Sequence, residues 1–257
     1  MKTEPRIILF DLESLPNLPE VMKVFCGLSA YPGLTMKASI NTIICFGYQV
    51  FGEETRCVNA WDFSSWKRDV NDDLEVVKRA REILQDADAI VTHNGRRFDL
   101  KFLQTRLLYH GLDPLPKIPH IDTCSIAKSH LLLFNNKMNT LAKFMTSEEK
   151  LENGGWELWV KVLNKDKEAC KLMEEYCMQD VRTLNAVFKR LRPLISNLPN
   201  YNVFNPLDKP VCPQCGSTRL QKNGKAVRGL KIAQRHICTD CRTNLYTQRE
   251  DRPPKVL

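Results

Sequence analysis

Two carboxylates stand two residues apart at the end of an unbroken apolar run, where Ile7-Ile8-Leu9-Phe10 leads into Asp11-Leu12-Glu13. Four apolar residues without a polar break predict a buried strand. Side chains alternate along a strand, so Asp11 and Glu13 share one face and Leu12 takes the other. Like charges beside an apolar core are costly unless neutralised. A divalent cation, which prefers oxygen ligands, neutralises them. The same pattern also suits a solvated turn at a strand exit, so the metal reading depends on further carboxylates.

The chain supplies two. Asp99 follows Thr92-His93-Asn94-Gly95-Arg96-Arg97-Phe98 and opens a predicted helix over Asp99–Tyr109. A carboxylate there caps the helix and is held rigidly, which also suits a metal ligand. Asp180 stands four residues after Tyr176 in a helical pattern spanning Lys165–Leu191. Residues at i and i+4 share a face, and this face is otherwise apolar. A buried aspartate there needs a partner, which Arg182 is not placed to supply. Asp11, Glu13, Asp99 and Asp180 come from three elements. Such a set can hold two divalent ions about 4 Å apart, an arrangement that serves in-line displacement at phosphate. All-oxygen ligands point to Mg²⁺ or Mn²⁺.

A different metal chemistry is written near the other end. Cys212-Pro213-Gln214-Cys215 and Cys238-Thr239-Asp240-Cys241 are two C-x-x-C knuckles separated by 22 residues. Four thiolates at this spacing form a closed tetrahedral site for one structural Zn²⁺. His236 is a poor substitute ligand. The other six cysteines (Cys26, Cys45, Cys57, Cys124, Cys170 and Cys177) show no framework spacing and read as reduced core thiols.

These residues must be positioned by the elements between them. The pattern predicts strands at Ile43–Phe51 and Thr55–Trp61 joined by a Gly52-Glu53-Glu54 turn, and a helix over Asp72–Leu84. A short strand at Ala89–Thr92, the helix after Asp99, a strand at Pro119–Thr123 and a helix over Ser125–Leu133 follow. Leu141–Met145 also reads as helical, and Asn153-Gly154-Gly155 as a break. This order predicts an α/β domain whose sheet begins antiparallel and continues parallel. The acidic pair then sits at the carboxyl end of a central strand, where open α/β sheets bind ligands. Residues 14–40, with three prolines, form a long irregular connection: a lid or flap, or a weakly ordered insertion.

The 257 residues suffice for one sizeable core and a small module. The net charge of +8 is uneven. From Asn205 onward there are 11 Lys and Arg against 4 Asp and Glu, leaving 27 against 26 in residues 1–204. A basic appendage on a neutral body suggests a polyanionic partner. No apolar run spans a bilayer, and Pro5 and Asp11 interrupt the sole N-terminal apolar stretch, so no membrane association is expected. We expect an intracellular protein, cytoplasmic or nucleoid-associated, of cellular or viral origin.

The order Asp11-Leu12-Glu13, then Asn94-x-x-x-Phe98-Asp99, then Tyr176-x-x-x-Asp180 resembles the three motifs of the DEDD (DnaQ-like) 3′–5′ exonucleases, in the subgroup with a tyrosine in the third motif. Ile121-Asp122-Thr123 and the stretch Asn136 to Phe144 are similar to exonuclease domains of family B DNA polymerases. The resemblance covers roughly residues 5–195. It implies a ribonuclease H-like mixed sheet flanked by helices. It implies that Asp11, Glu13, Asp99 and Asp180 are the Mg²⁺ or Mn²⁺ ligands and that Tyr176 orients the attacking water. It further implies that Leu12, Asn94 and Phe98 contact the terminal nucleotide. Asp122 is placed behind the ligands at most, and His93 is read as structural.

The cysteine module resembles a zinc ribbon. Arg219, Lys222, Lys225, Arg228, Lys231 and Arg235 between its knuckles suit phosphate contact, and docking to a protein partner is the competing use. The chain therefore divides into a nuclease domain at 1–198, a linker at 199–210, a ribbon at 211–250 and a tail at 251–257. The expected activity is 3′–5′ exonucleolytic hydrolysis by a two-metal mechanism, on single-stranded DNA ahead of RNA. Two rivals stand beside it. One is a non-catalytic nucleic-acid-binding module of a replication or recombination assembly, and the other is an endonuclease on the same fold.

Overall fold

The computed structural model describes residues 4–15, 42–146, 155–205, 210–228 and 231–251. The irregular connection at 14–40, read as a lid or an insertion, lies beyond Leu15 outside the described residues. The chain divides into two compact units, Arg6–Lys189 and Arg190–Leu257, the second grouped with Met1–Pro5.

The larger unit is built on β1 (Ile7–Leu15), β2 (Thr42–Val50) and β3 (Thr55–Asn59). It continues through α1 (Ser64–Arg68), α2 (Leu74–Leu84), β4 (Ala89–Thr92), α3 (Asp99–Tyr109), β5 (His120–Asp122), α4 (Thr123–His130), α5 (Met138–Met145) and α6 (Trp156–Leu163). The long helix α7 (Lys167–Leu191) follows. The strands order as β3-β2-β1-β4-β5. β1–β2 and β2–β3 are antiparallel, and β1–β4 and β4–β5 are parallel. The mixed sheet and the central place of β1 are as expected.

Sequence explains the placement. Ile7 through Phe10 are fully buried, and every residue of β4 is buried, the continuous apolar pattern of strands covered on both faces. Against the sheet α2 buries Val76, Val77, Ala80 and Leu84, and α7 buries Met173, Cys177, Val181 and Leu184 at spacings of three and four. Cys45, Cys57, Cys124, Cys170 and Cys177 are free thiols, as expected of core cysteines.

Several boundaries differ from the expectation. Ala60–Asp62 forms a single 3₁₀ turn, so β3 stops at Asn59. α4 starts two residues earlier than predicted, at Thr123, because the Asp122 side chain caps it by accepting from the Cys124 and Ser125 amides. Asp99 is the first residue of α3 and not its cap: Phe98 occupies the cap position, with no side-chain hydrogen bond.

One buried ion pair ties three elements. Asp73 accepts from the Ile43 amide at 2.8 Å, from Arg106 Nε at 2.8 Å and Nη2 at 2.6 Å, and contacts His110 Nε2 at 2.6 Å. Burial works to raise the Asp73 pKa, but the hydrogen bonds from His110 and Arg106, the guanidinium charge and the Ile43 amide outweigh it and hold the carboxyl below its ordinary value. The start of β2 is thereby fixed to α2 and α3.

The smaller unit holds a three-stranded antiparallel sheet, β6 (Leu220–Arg228), β7 (Lys231–Cys238) and β8 (Asn244–Asp251), preceded by the one-turn helix α8 (Tyr201–Phe204). Part of the stretch read as a linker is hydrogen-bonded to the first knuckle. The Tyr201 amide donates to Pro213 O at 3.1 Å, and the Asn202 side chain pairs both ways with the Val211 backbone. Gln214 Nε2 donates to Ile195 O at 2.8 Å. Residues 206–209 lie outside the described ones. Among the described residues, no helix is long and apolar enough to cross a membrane.

Candidate active site

The acidic pair is exposed to a cleft because the strands around it differ in length. β1 pairs with β4 only through Leu9, yet runs on to Leu15 beside β2. Asp11 and Glu13 therefore extend beyond the last β1–β4 pair, in the crevice where α/β sheets hold ligands. A bulge between Glu13 and Ser14 ends the regular register.

The third carboxylate is delivered by close helix–sheet contact. Gly47 pairs with Asp11 in register. A Cβ at Gly47 would lie 2.7 Å from Cys177 Sγ and 3.1 Å from Cys177 O. The missing side chain lets α7 settle on β2, which brings Tyr176 and Asp180 to the cleft. Carboxylate oxygens of Asp11, Glu13 and Asp180 all lie within 4.8 Å of one another.

Asp99 stands outside this triad but lines the same cleft. Burial pushes its pKa up to about 7, against hydrogen bonds from its own backbone and that of Leu12, while the Asp122 charge raises it. Asp11 is raised well above the usual carboxylate range by burial first, then by Asp99, Asp180 and Glu13. Four acids crowded in this way repel one another, and such an all-oxygen set fits a hard divalent cation.

The cleft encloses about 680 Å³. Leu12, Asn94 and Phe98 line it, as do Tyr176 and the cations Arg97, Lys128 and Lys137. Phe98 is 36% exposed and stacked on Phe102 at 5.7 Å between ring centroids. Asn94 holds a left-handed backbone, φ 65°, and its amide donates to Asp122 Oδ1 at 2.9 Å. Asp122 is thus a brace for the wall: the Arg96 amide donates to it as well. His93 also lines the cleft, its ring bridging Thr123 Oγ1 at 2.9 Å and Asn136 O at 3.0 Å, a structural part as read from sequence.

Sequence reasoning missed Trp159. Its indole Nε1 donates to Ser14 O at 3.1 Å, and its ring meets Tyr176 edge-on with centroids 6.4 Å apart. It ties the end of β1 to the tyrosine of α7. An aromatic helix face just after the Asn153-Gly154-Gly155 break was the available signal.

In the smaller unit the four cysteine sulfurs also lie within 4.8 Å of one another. Cys212 and Cys241 are 3.6 Å apart, as are Cys215 and Cys238. A tetrahedron with Zn–S bonds of about 2.3 Å has sulfur–sulfur edges of about 3.8 Å, so the cluster fits zinc in size as well as in chemistry. Lys222 and Lys225 of the β6–β7 hairpin are exposed, whereas Arg235 Nε is engaged by Asn223 O at 2.7 Å.

The five-stranded mixed sheet with acids past the end of its central strand defines a ribonuclease H-like α/β domain. The sequence model of the RNase_H_2 family, RNase_H superfamily, matches residues 33–192, and the chain belongs to that family. Over 72 residues it is 35% identical to a "DNA polymerase III PolC-type" from Ureaplasma parvum, a match spanning 28% of this chain and 5% of that protein. A family B DNA polymerase from the hyperthermophilic archaeon Pyrobaculum calidifontis shares the fold, with TM-score 0.55 and 15% identity over 88% of this chain and 31% of that one. Both relatives are far longer than the segment they share with this chain.

Proposed function

We propose that the protein is a divalent-metal-dependent 3′–5′ exonuclease of the DEDD type with a tyrosine in its third motif, acting on single-stranded DNA ahead of RNA. The observation that carries this is the triad of Asp11, Glu13 and Asp180, oxygens within 4.8 Å, in one cleft with Asp99 and Tyr176. Asp11, Glu13, Asp99 and Asp180 would hold Mg²⁺ or Mn²⁺, which would supply water activation and charge neutralisation at the leaving oxygen. Tyr176, a weak base at neutral pH, places the water, backed by Trp159. Arg97, Lys128 and Lys137 draw the phosphate backbone toward an otherwise acidic floor. Leu12, Asn94 and Phe98 hold the terminal nucleotide. The test is an end-labelled single-stranded oligonucleotide with Mg²⁺, beside a covalently closed circle of the same sequence. Stepwise release from the end with an intact circle supports the reading. A cut circle makes the enzyme an endonuclease, and no hydrolysis with Mg²⁺ or Mn²⁺ rejects a nuclease altogether.

Gly47→Val should lower hydrolysis at least about a hundredfold and stability by about 1–3 kcal/mol, because the added methyls force α7 away from Asp11. Urea unfolding and initial rates check both effects.

The cysteine cluster binds one structural Zn²⁺ in this reading. Its exposed lysines contact phosphates, with docking to replication or recombination proteins as the competing use. Zinc affinity is folding energy for so small a module, so Cys212→Ser should release the metal and unfold the three-stranded sheet. The RNase H-like unit has its own core and should keep its thermal transition. Zinc content and two-transition calorimetry check this.

A further inference from the structure

Beside the cleft, the segment that joins α4 to α5 presents Leu132 at 102% and Phe134 at 100% exposure, the extreme of the described apolar side chains. Two features make this more than an ordinary surface exception. The segment is braced: Asn135 Oδ1 accepts from the Lys137 amide at 3.0 Å and from Thr140 Oγ1 at 2.7 Å, and His93 holds Asn136 O. It is also continuous with the cleft, since Asn136, Lys137 and Met138 form part of the wall. Phe134 is two residues from Asn136, at most about 7 Å along the chain, or about two stacked nucleotides. Lys137, three residues on in the chain, and Lys128 of α4 both line the cleft and give it positive charge. An exposed aromatic that leads directly into a hydrogen-bonded stretch of the wall of a cationic cleft has the chemistry of a base-stacking platform.

We propose that Phe134, supported by Leu132, stacks on unpaired bases of the strand whose end enters the cleft, and thereby selects single-stranded over duplex substrate. This rests on the nuclease reading of the cleft. Paired bases keep their faces covered by their neighbours in the duplex, so only an unpaired strand gains from the contact. Both side chains point to solvent, and replacing them leaves the core intact.

The experiment uses the full chain and single-stranded DNA oligonucleotides carrying 2-aminopurine at successive positions from the 3′ end, with Ca²⁺ in place of Mg²⁺. At one position two to four nucleotides from the end, the wild-type protein should quench the fluorophore. Phe134→Ala should lose that quench and bind about tenfold more weakly, whereas Phe134→Trp should keep both. An abasic site at the same position should bind wild type and Phe134→Ala alike. If Phe134→Ala binds the intact oligonucleotide as wild type does, the platform is wrong and a protein partner covers this segment. Failure of the nuclease reading looks different: with Mg²⁺ the wild type releases no nucleotide, yet the quench at that position persists.

Discussion

Asp11→Asn should abolish hydrolysis and at the same time raise the melting temperature of the metal-free protein. The two effects share one cause. Burial and the charges of Asp99, Asp180 and Glu13 raise the Asp11 pKa well above 3.8. Asp99 beside it is raised to about 7. A carboxyl with a raised folded-state pKa holds a proton that the unfolded chain gives up, so its effect is felt as pH rises. For Asp99 the window runs from its ordinary value of 3.8 to about 7, and across it the metal-free fold loses stability. The loss is on the order of a few kcal/mol. Removing one charge relieves its neighbours, giving a gain of several degrees at pH 8 and little at pH 5. In the wild type Mn²⁺ supplies the same relief, and its stabilisation should be larger at pH 8 than at pH 5.5. Scanning fluorimetry at both pH values, with and without Mn²⁺, reads this, and an end-labelled assay should show at least about a thousandfold loss of rate. A variant that melts below wild type without metal and still gains fully from Mn²⁺ would falsify the assignment. Glu13→Gln keeps shape while removing charge, and should behave alike.

The largest purely structural effect is expected at Asp73. Its carboxylate is fully buried against Arg106, whose side chain is 2% exposed. Asp73→Ala leaves that guanidinium buried without its counter-charge and frees the Ile43 amide, at a cost of about 3–5 kcal/mol. Total stabilities of about 5–15 kcal/mol make this enough to leave much of the protein unfolded near 37 °C. Because the Asp73 pKa is depressed, its contribution is fully present above the ordinary carboxylate range and fades only as pH falls through the folded value. Denaturant curves at pH 7 should show the midpoint shift. The double variant Asp73→Ala, Arg106→Leu should recover part of it, since no charge then remains buried. No recovery would mean that the amide, not the guanidinium, dominates.

The sequence carried the centre of the site because its signals are local. The unbroken run before Asp11, the two-residue spacing to Glu13 and the four-residue spacing from Tyr176 to Asp180 each follow from the geometry of a single element. The antiparallel start and parallel continuation of the sheet followed from the alternation of strands and helices. What lay hidden are pairings across distance. Trp159 meets Ser14 across 145 residues, and Arg106 meets Asp73 across 33. No periodicity records either. Asp99 looked equivalent to the other acids, but its separation from the triad depends on where α3 starts relative to the end of β1. That distance is fixed by packing. The cap role of Asp122 was within reach of its neighbours' spacing, whereas its hold on Asn94, 28 residues away, was not.

That hold has a consequence for how the cleft wall opens. One carboxylate accepts from the amides of Asn94, Arg96, Cys124 and Ser125. A left-handed asparagine costs on the order of 1 kcal/mol, and this shared acceptor maintains it. The loop after β4 therefore cannot fray alone, because freeing its amides also unties the first turn of α4. In hydrogen exchange these four amides should behave as one opening unit, protected together although two stretches of chain supply them.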